Sequence, residues 1–226
     1  MSPATPRAVF FDLDGTLVDS APDLIAAVQG LCGELGAPPP DMQAVRKVVS
    51  AGGRAMLHKG LPGADDAMID QWLPRFLDLY AAQMTVHTRL YDGMTEVLDL
   101  LHEHGIAWGI VTNKPGWLAR PMLARMEFSV RCTALVTGDC LPVRKPDPAP
   151  LLRACELAKV DAAHSVFVGD DLRDVQTGHA AGIRTLVAGW GYLDGDDPHT
   201  WGADRVLDRP CALPSALGID GGREQG

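Results

Sequence analysis

The sequence predicts an α/β fold, a doubly wound parallel sheet with an inserted helical cap subdomain. Short apolar runs alternate with amphipathic helical patterns over most of the chain, which is typical of a parallel sheet covered by helices. One segment, at about 20–90, breaks this alternation and carries helical patterns only. With 226 residues, 46% of them apolar, the chain is long enough for a core domain and a smaller partner domain.

Five apolar runs are predicted as buried strands, and each is followed by polar residues or glycine. They cover residues 8–11, 108–111, 134–136, 165–168 and 185–188. Helical patterns lie between these runs, over residues 94–104, 117–126, 149–157 and 174–181. Ligands of such sheets bind beyond the carboxyl ends of the strands. The polar residues that follow the runs are therefore the candidates for a functional site.

The segment that breaks the alternation is predicted as a group of helices inserted after the first strand, with no strand of its own. Pro22 suits the first turn of a helix, and Pro74 predicts a kink or break in another. Helical spacing covers residues 23–35, 42–57 and 65–84.

The predicted domain boundaries follow from this pattern. Residues 1–19 and 91–226 form the α/β core, and residues 20–90 form the helical cap. The glycine-rich, polar stretch after about Ala216 is expected to be frayed.

Composition and charge restrict the partners. A net charge of −9 without a basic stripe argues against nucleic acid. An acidic protein repels anionic substrates at long range, so a phosphate ester would require local cations. The five cysteines form no C-x-x-C pair, which argues against a zinc or redox site. The sequence carries no signal-peptide pattern and no membrane-spanning stretch, which predicts a cytoplasmic protein without a membrane partner.

Two carboxylates, Asp12 and Asp14, follow the first strand in the segment DLDGT. A carboxylate at a strand end can attack phosphorus as a nucleophile. A second carboxylate nearby can protonate the leaving oxygen and later activate water. Gly15 permits a turn that exposes backbone amides to phosphate oxygens. The alternative is an acidic turn or helix cap without chemistry.

Three further residues are candidates for binding phosphate. Thr112 and Asn113 follow the second strand and offer a hydroxyl and an amide, with a helix N-cap as the alternative role. Lys145 precedes Pro146 in a stiff loop, where a rigidly placed ammonium would neutralise both Asp12 and the phosphate. Its alternative role is a solvated surface charge.

Acidic residues after the fourth strand are the last group of candidate site residues. Asp170, Asp171 and Asp174 lie in the segment GDDLRD at 169–174. Mg²⁺ commonly binds a few carboxylates together with water and substrate phosphate. A capped helix start is the alternative, and the two roles can apply to different members of the run.

Together these four segments resemble the haloacid dehalogenase-like hydrolase superfamily. The resemblance rests on DLDGT at 12–16, Thr112, Lys145 and GDD-x-x-D at 169–174, in the order and spacing of that family, and it covers the whole chain. It implies a Rossmann-like core and a mobile helical cap that closes over the substrate. It also implies a phosphoric monoester hydrolase, because dehalogenases of this fold lack the second aspartate.

The resemblance further implies a role for each motif residue. Asp12 would be the nucleophile, and Asp14 the general acid and base. Thr112 and Lys145 would hold the phosphoryl oxygens. The implied metal site is Mg²⁺ bound by Asp12, by the backbone carbonyl of Asp14 and by Asp170.

Among phosphatases, the chain is similar to the phosphoglycolate phosphatase group in DLDGTLVDSAPDL, VTNKP and KPDPAPLL. It is also similar to N-acetylmuramic acid 6-phosphate phosphatases of peptidoglycan recycling, in SAGGRAML at 50–57 and VHTRLYDGM at 86–94. The implied substrate is a small carboxylate-bearing phosphomonoester such as 2-phosphoglycolate, with N-acetylmuramic acid 6-phosphate as the alternative. Because both carry a carboxylate, a cation in the cap is expected. Arg54 is the candidate, with a surface arginine as its alternative role.

Two alternatives to hydrolysis agree less well with the sequence. A phospho-accepting signalling module without turnover would carry its aspartate on a middle strand of a shorter chain, whereas Asp12 follows the first strand and precedes a cap. An inactive relative used for binding would have no reason to cluster so many carboxylates. The sequence leaves open whether the protein is a monomer or a homodimer.

Overall fold

The computed structural model describes residues 5–126 and 131–219. Within them the chain forms eight strands: β1 (Ala8–Phe11), β2 (Val18–Asp19), β3 (Arg89–Leu90), β4 (Ala107–Val111), β5 (Ala134–Val136), β6 (Ser165–Gly169), β7 (Arg184–Ala188) and β8 (Arg205–Leu207). Six of them make a parallel sheet in the order β5-β4-β1-β6-β7-β8. This confirms the predicted α/β fold class with a parallel sheet.

Helices cover both faces of this sheet. They are α1 (Ala21–Leu35), α2 (Met42–Lys47), α3 (Gly53–Gly60), α4 (Asp66–Gln83), α5 (Met94–Glu103), α6 (Gly116–Ala124), α7 (Ala149–Ala158), α8 (Leu172–Ala181) and α9 (Leu213–Leu217). Alternate side chains of β1 enter different cores: Val9 and Phe11 face one cluster, and Ala8 and Phe10 face the other. A strand buried on both faces reads as a continuous apolar run, which is why β1 was predictable.

The strand order places β1 at the centre of the sheet, between β4 and β6. Their registers align Phe11 with Ile110 and with Val168. All three strands therefore end at the same edge, and the residues that follow them meet there.

The first four helices pack on one another, with α1 against α3 and α4, and α2 against α3. They lie between β2 and β3, where the chain leaves and re-enters the sheet region. The division into a core of residues 1–19 and 91–226 and a cap of residues 20–90 stays a prediction. Among the described residues, no helix combines the length and apolar character needed to cross a membrane.

The predicted single helix over 42–57 is wrong. The structure ends α2 at Lys47 and begins α3 at Gly53. Gly52 has a φ of +91° and a ψ of 178°, a conformation that residues with a side chain rarely adopt. The periodic apolar pattern continues across this turn, so periodicity alone did not reveal it.

The expectation that 20–90 contains no strand is also wrong. β3 pairs antiparallel with β2, with Val18 opposite Leu90 and Asp19 opposite Arg89. Strands of two residues are too short to produce an alternating pattern. Beside them, the buried carboxylate of Asp23 accepts hydrogen bonds from the backbone amides of His87 and Thr88, so both ends of the inserted segment are tied together.

Two smaller expectations need correction. Pro74 does not break α4, because it lies on the exposed face, where water can satisfy the backbone carbonyl that the missing amide leaves free; the alternative of a kink stays a prediction. The expected fraying after Ala216 is wrong for the first residues, since Leu217 and Ile219 are buried. Residues 220–226 lie outside the described part of the chain. The sequence reading also missed β8 and α9, which are short.

Candidate active site

Asp12 lies directly after β1, at the centre of the sheet edge. Its backbone amide donates to the carbonyl of Val168 in β6 at 2.9 Å, so the neighbouring strand fixes its position. The residue is only 7% exposed. The carboxylate faces a cavity of about 370 Å³. A buried carboxylate that still lines a cavity is positioned to react with a bound molecule.

Lys145 neutralises this carboxylate. Its Nζ lies 2.8 Å from Asp12 Oδ1 and 2.7 Å from Asp174 Oδ1, and the side chain is nearly inaccessible. Burial alone would lower the pKa of this ammonium, but the two carboxylates outweigh burial and raise it. The lysine therefore stays charged. Its predicted proximity to Asp12 agrees with the geometry, and its alternative role as a surface charge is wrong.

Asp170 is fully buried and held by three donors. Thr16 Oγ1 donates to one carboxylate oxygen at 2.9 Å, and Ser50 Oγ and the Tyr192 amide each donate to the other at 2.9 Å. Gly15 is required beside it, because a Cβ there would overlap the Asp170 carboxylate. Gly15 also has a φ of +89°, in the left-handed region that favours glycine.

Three carboxylates form a buried acidic cluster: Asp12, Asp170 and Asp174. One oxygen from each lies within 4.8 Å of the other two. Burial raises the pKa of Asp170 well above its usual value, and the charges of Asp12 and Asp174 raise it further. Burial likewise raises the pKa of Asp174, although Lys145 opposes this effect. Clustered carboxylates of this kind are costly unless a further cation compensates them.

The acidic cluster fits a bound metal ion. Its donors are all carboxylate oxygens, which hard divalent cations prefer. Within residues 5–126 and 131–219, Asp12 Oδ1 and Asp174 Oδ1 are buried without a hydrogen-bond partner of good geometry, and Lys145 contacts both only as an ion pair. Asp12 and Asp170 were predicted metal ligands, and the structure brings them together. Asp174 joins them, whereas the sequence had left open whether Asp171 or Asp174 would contact a metal.

Asp14 lies apart from the acidic cluster, with its own lysine. Lys114 Nζ lies 3.0 Å from both of its carboxylate oxygens, and Ser20 Oγ donates to Oδ1 at 2.5 Å. The same Nζ donates to the hydroxyl of Tyr80 on α4 at 2.9 Å and lies 4.6 Å from the centre of its ring. The Asp14 side chain is therefore occupied by Lys114, and a metal contact through its backbone carbonyl stays a prediction.

Thr112 and Asn113 follow β4 and line the same cavity. The Thr112 hydroxyl accepts a hydrogen bond from the Lys114 amide at 3.1 Å, and it does not cap α6, which begins after Pro115. The Asn113 side chain donates to the Lys145 carbonyl and accepts from the Lys145 amide, both at 3.0 Å. This pair fixes the Lys145 loop and occupies the amide that was predicted to bind phosphate.

Arg54 lies on α3 and lines the cavity. Its guanidinium forms ion pairs with Asp66, at 3.2 Å, and with Asp70, so its charge is compensated by α4. Its predicted role as a substrate-binding cation stays a prediction, and these two contacts weigh against it.

Asp171 caps α8 and takes no part in the acidic cluster. Its side chain accepts from the Arg173 amide at 2.8 Å, and the Asp174 carboxylate accepts from the Asp171 amide in return. The alternative of a capped helix start thus holds for Asp171, whereas Asp174 both completes the cap and enters the cluster. Arg173 binds Asp171 and also donates to the Ser50 carbonyl at 2.6 Å, which ties the α2–α3 turn to the start of α8.

Comparison with known proteins identifies the family. The model of the haloacid dehalogenase-like hydrolase family matches residues 9–188. The chain belongs to this family. The predicted superfamily and enzyme class, a phosphoric monoester hydrolase of the haloacid dehalogenase type, are confirmed.

Relatives of this hydrolase carry two different names. A phosphoglycolate phosphatase of Xanthomonas campestris pv. campestris is 45% identical, over 92% of this chain and 95% of that protein. An N-acetylmuramic acid 6-phosphate phosphatase of Pseudomonas aeruginosa is 42% identical, over 93% of this chain and 94% of that protein. A crystal structure from Haemophilus somnus, described as a predicted phosphoglycolate phosphatase, has a TM-score of 0.82 at 24% identity, covering 92% of this chain and 96% of that one, and shows the shared fold.

Sequence reasoning missed several residues of this hydrolase's site. Lys114 pairs with Asp14 but was not predicted as a site residue, although it lies in a proline-bounded loop after a strand, as Lys145 does. Tyr80 and Ser50 come from the inserted helical segment and reach Lys114 and Asp170. Nothing in their local sequence predicts those contacts, because they depend on how the insertion packs on the sheet.

Proposed function

We propose that this hydrolase is a Mg²⁺-dependent phosphatase that cleaves a small carboxylate-bearing phosphomonoester through an aspartyl-phosphate on Asp12. The observation that supports it best is the Asp12 carboxylate itself. It is nearly buried, faces the cavity and lies 2.8 Å from a charged lysine. The same cavity is lined by Asp14, the candidate acid and base.

The chemistry takes two displacements at phosphorus. In the first, an Asp12 oxygen forms a bond to phosphorus, the bond from phosphorus to the alcohol oxygen breaks, and Asp14 gives that oxygen a proton. In the second, Asp14 takes a proton from water, the water oxygen bonds to phosphorus, and the bond to Asp12 breaks. Phosphate leaves and both carboxylates return to their starting states.

The surrounding residues hold the phosphoryl group in place for both steps. Thr112 and Lys145 line the cavity beside Asp12, and Lys145 is fixed through its backbone by Asn113. A preorganised ammonium stabilises the negative charge of the transition state. Mg²⁺ held by Asp12 and Asp170 would, when bound, neutralise phosphoryl oxygens and the acidic cluster.

The helical segment 20–90 serves as the cap in this proposal. Its apolar residues Leu24, Met56, Leu73 and Phe76 line the cavity opposite the sheet edge. A cap of this kind excludes water, which strengthens electrostatic interactions at the reacting phosphorus.

The first substrate candidate is 2-phosphoglycolate, which the phosphoglycolate phosphatase relatives support at up to 45% identity. The second candidate is N-acetylmuramic acid 6-phosphate, and the cavity favours it. The volume of the cavity, about 370 Å³, lies in the range of about 300–1,000 Å³ that suits drug-sized ligands. A two-carbon ester would leave much of that space to water.

A phosphate-release assay separates the two candidates. With Mg²⁺ present, kcat/KM is measured for 2-phosphoglycolate and for N-acetylmuramic acid 6-phosphate, with Asp12→Asn as the inactive control. A hundredfold preference corresponds to about 2.7 kcal/mol and assigns the substrate. Turnover by Asp12→Asn near the wild-type rate would overturn the proposed mechanism.

A further inference from the structure

The proposed substrates carry a carboxylate in addition to the phosphate, and this second anion needs a cation of its own. The phosphate is served by Lys145 and a metal ion, and Arg54 is paired with two aspartates. The cavity must therefore offer another positive charge if the proposed function is correct.

Five cationic residues of the described chain line the cavity, and four of them are already paired. These four are Arg54 with Asp66 and Asp70, Lys114 with Asp14, Lys145 with Asp12 and Asp174, and Arg173 with Asp171. Each pair is at ion-pair distance. An incoming carboxylate would have to compete with a protein carboxylate for any of them.

Arg144 is the fifth cation, and it differs from the others. It is exposed, it lines the cavity, and no carboxylate of the described residues lies within ion-pair distance of its guanidinium. Its side chain also makes no hydrogen bond within the described residues. Only its backbone carbonyl is engaged, by the Asp147 amide at 2.9 Å.

The position of Arg144 ties it to the reaction centre. It immediately precedes Lys145, whose backbone is fixed by the Asn113 side chain and whose ammonium contacts Asp12. The backbone at Arg144 is therefore anchored, while its side chain stays free to meet a ligand. A guanidinium can bind a carboxylate through two parallel hydrogen bonds.

We propose that Arg144 is a specificity-determining residue that binds the carboxylate of the substrate while Asp12 engages its phosphate. This inference rests on the proposed function for the identity of the substrate class. It also explains how a chain with a net charge of −9 attracts a substrate with two anionic groups, since an unpaired cation at the cavity supplies local attraction.

The test compares pairs of esters in which one member carries the carboxylate-bearing group and the other lacks it. The pairs are 2-phosphoglycolate with 2-hydroxyethyl phosphate, and N-acetylmuramic acid 6-phosphate with N-acetylglucosamine 6-phosphate. Arg144→Gln is expected to raise KM about tenfold or more for the carboxylate-bearing ester that the wild type prefers. For the partner without the carboxylate, KM should change by less than about twofold, because no charge-assisted hydrogen bond is lost.

Two further variants serve as comparisons. Arg153→Gln is the matched control, because Arg153 is an exposed arginine on α7 outside the cavity lining, paired with Glu156. It should leave both KM values unchanged. Arg54→Gln tests the rival cation directly. The assignment would be overturned if Arg54→Gln raised KM for the carboxylate-bearing ester alone while Arg144→Gln left it unchanged. It would also be overturned if Arg144→Gln raised KM equally for both esters of a pair.

Calorimetry measures binding of the carboxylate without requiring the ester to be hydrolysed. In the Asp12→Asn background, the dissociation constant of each ester is measured with and without Arg144→Gln. Weaker binding of the carboxylate ester alone supports the role of Arg144, and equal effects on both esters overturn it. If the wild type hydrolyses none of these esters, the proposed function fails, and the binding measurement still decides whether Arg144 recognises the carboxylate.

Discussion

Single residues of this site are arranged as pairs of opposite charge, one for each candidate catalytic carboxylate. Lys145 serves Asp12, and Lys114 serves Asp14. Both lysine side chains are buried, and burial alone would lower the pKa of each ammonium. The neighbouring carboxylates have the larger effect and raise it. Stability and catalysis are therefore linked at these residues, because removing either partner leaves a buried charge uncompensated.

Lys145→Met is expected to lower the free energy of unfolding by about 3–5 kcal/mol in metal-free buffer, since it leaves Asp12 and Asp174 without their cation. Urea denaturation measures this change. Adding Asp174→Asn to the variant should restore part of the loss, because it removes one of the two unpaired charges. Equal stability of Lys145→Met and wild type would contradict the account.

Tyr80→Phe is expected to lower kcat about tenfold, with little change in KM. The variant keeps the ring under the Lys114 ammonium but removes the hydroxyl that accepts its hydrogen bond at 2.9 Å. Lys114 then holds Asp14 less firmly. Tyr91→Phe is the control, because Tyr91 is a partly buried tyrosine outside the cavity lining, and its kcat should stay within about twofold. Equal effects of the two variants would refute a special role for Tyr80.

The sequence predicted those candidate site residues that directly follow a strand. Asp12, Thr112 and Asp170 each follow an apolar run, and parallel strands bring such positions to one edge. The pairing of Asp14 with Lys114, and of Asp170 with Ser50, depends on side-chain packing between distant segments. No local pattern records such contacts, which is why these partners were missed.

At the level of elements, the turn between α2 and α3 connects the inserted helices to the reaction centre. Ser50 donates to Asp170, and its carbonyl accepts from Arg173. Gly52 closes the turn with a φ of +91°. The turn was predicted as helix because the apolar spacing runs through it. Its backbone conformation is instead set by Gly52 and by the contacts of Ser50 with Asp170 and Arg173.

Gly52→Ala is expected to lower the free energy of unfolding by about 1–3 kcal/mol, because alanine is strained in this backbone conformation. Gly33→Ala is the matched control. Gly33 lies exposed in α1 with ordinary helical backbone and open space around its Cα, so alanine there should raise stability by up to about 1 kcal/mol. Thermal unfolding of both variants checks the difference, and a stabilised Gly52→Ala would show that the turn is not constrained as described.

At the scale of the whole molecule, negative charge is concentrated where the account requires a cation. The chain carries −9, and three of its carboxylates meet in a buried cluster with one lysine. The sequence predicted the need for local cations from the net charge alone. It did not give the cavity volume or the partners of each cation, since these depend on how the helices close over the sheet. The oligomeric state and the cytoplasmic location stay predictions.

Under the proposed function, Mg²⁺ binds the native acidic cluster and not the unfolded chain, so it is expected to stabilise the folded protein. At a concentration one hundred times its dissociation constant, it should add about 2.7 kcal/mol to the free energy of unfolding. Asp170→Asn should lose this gain. Asp99→Asn should keep it, because Asp99 pairs with Arg131 at the surface. Thermal unfolding with Mg²⁺ and with EDTA gives the readout, and a wild type insensitive to Mg²⁺ would contradict the metal site.

Chemical trapping determines whether Asp12 forms the phosphoryl intermediate. The enzyme is mixed with substrate and Mg²⁺, quenched within one turnover and reduced with borohydride, which converts an acyl phosphate of aspartate into homoserine. Peptide mass spectrometry then locates the homoserine. Homoserine is expected at position 12 in the wild type, and none is expected in Asp12→Asn. Homoserine at Asp14, or turnover without any trapped residue, would contradict it.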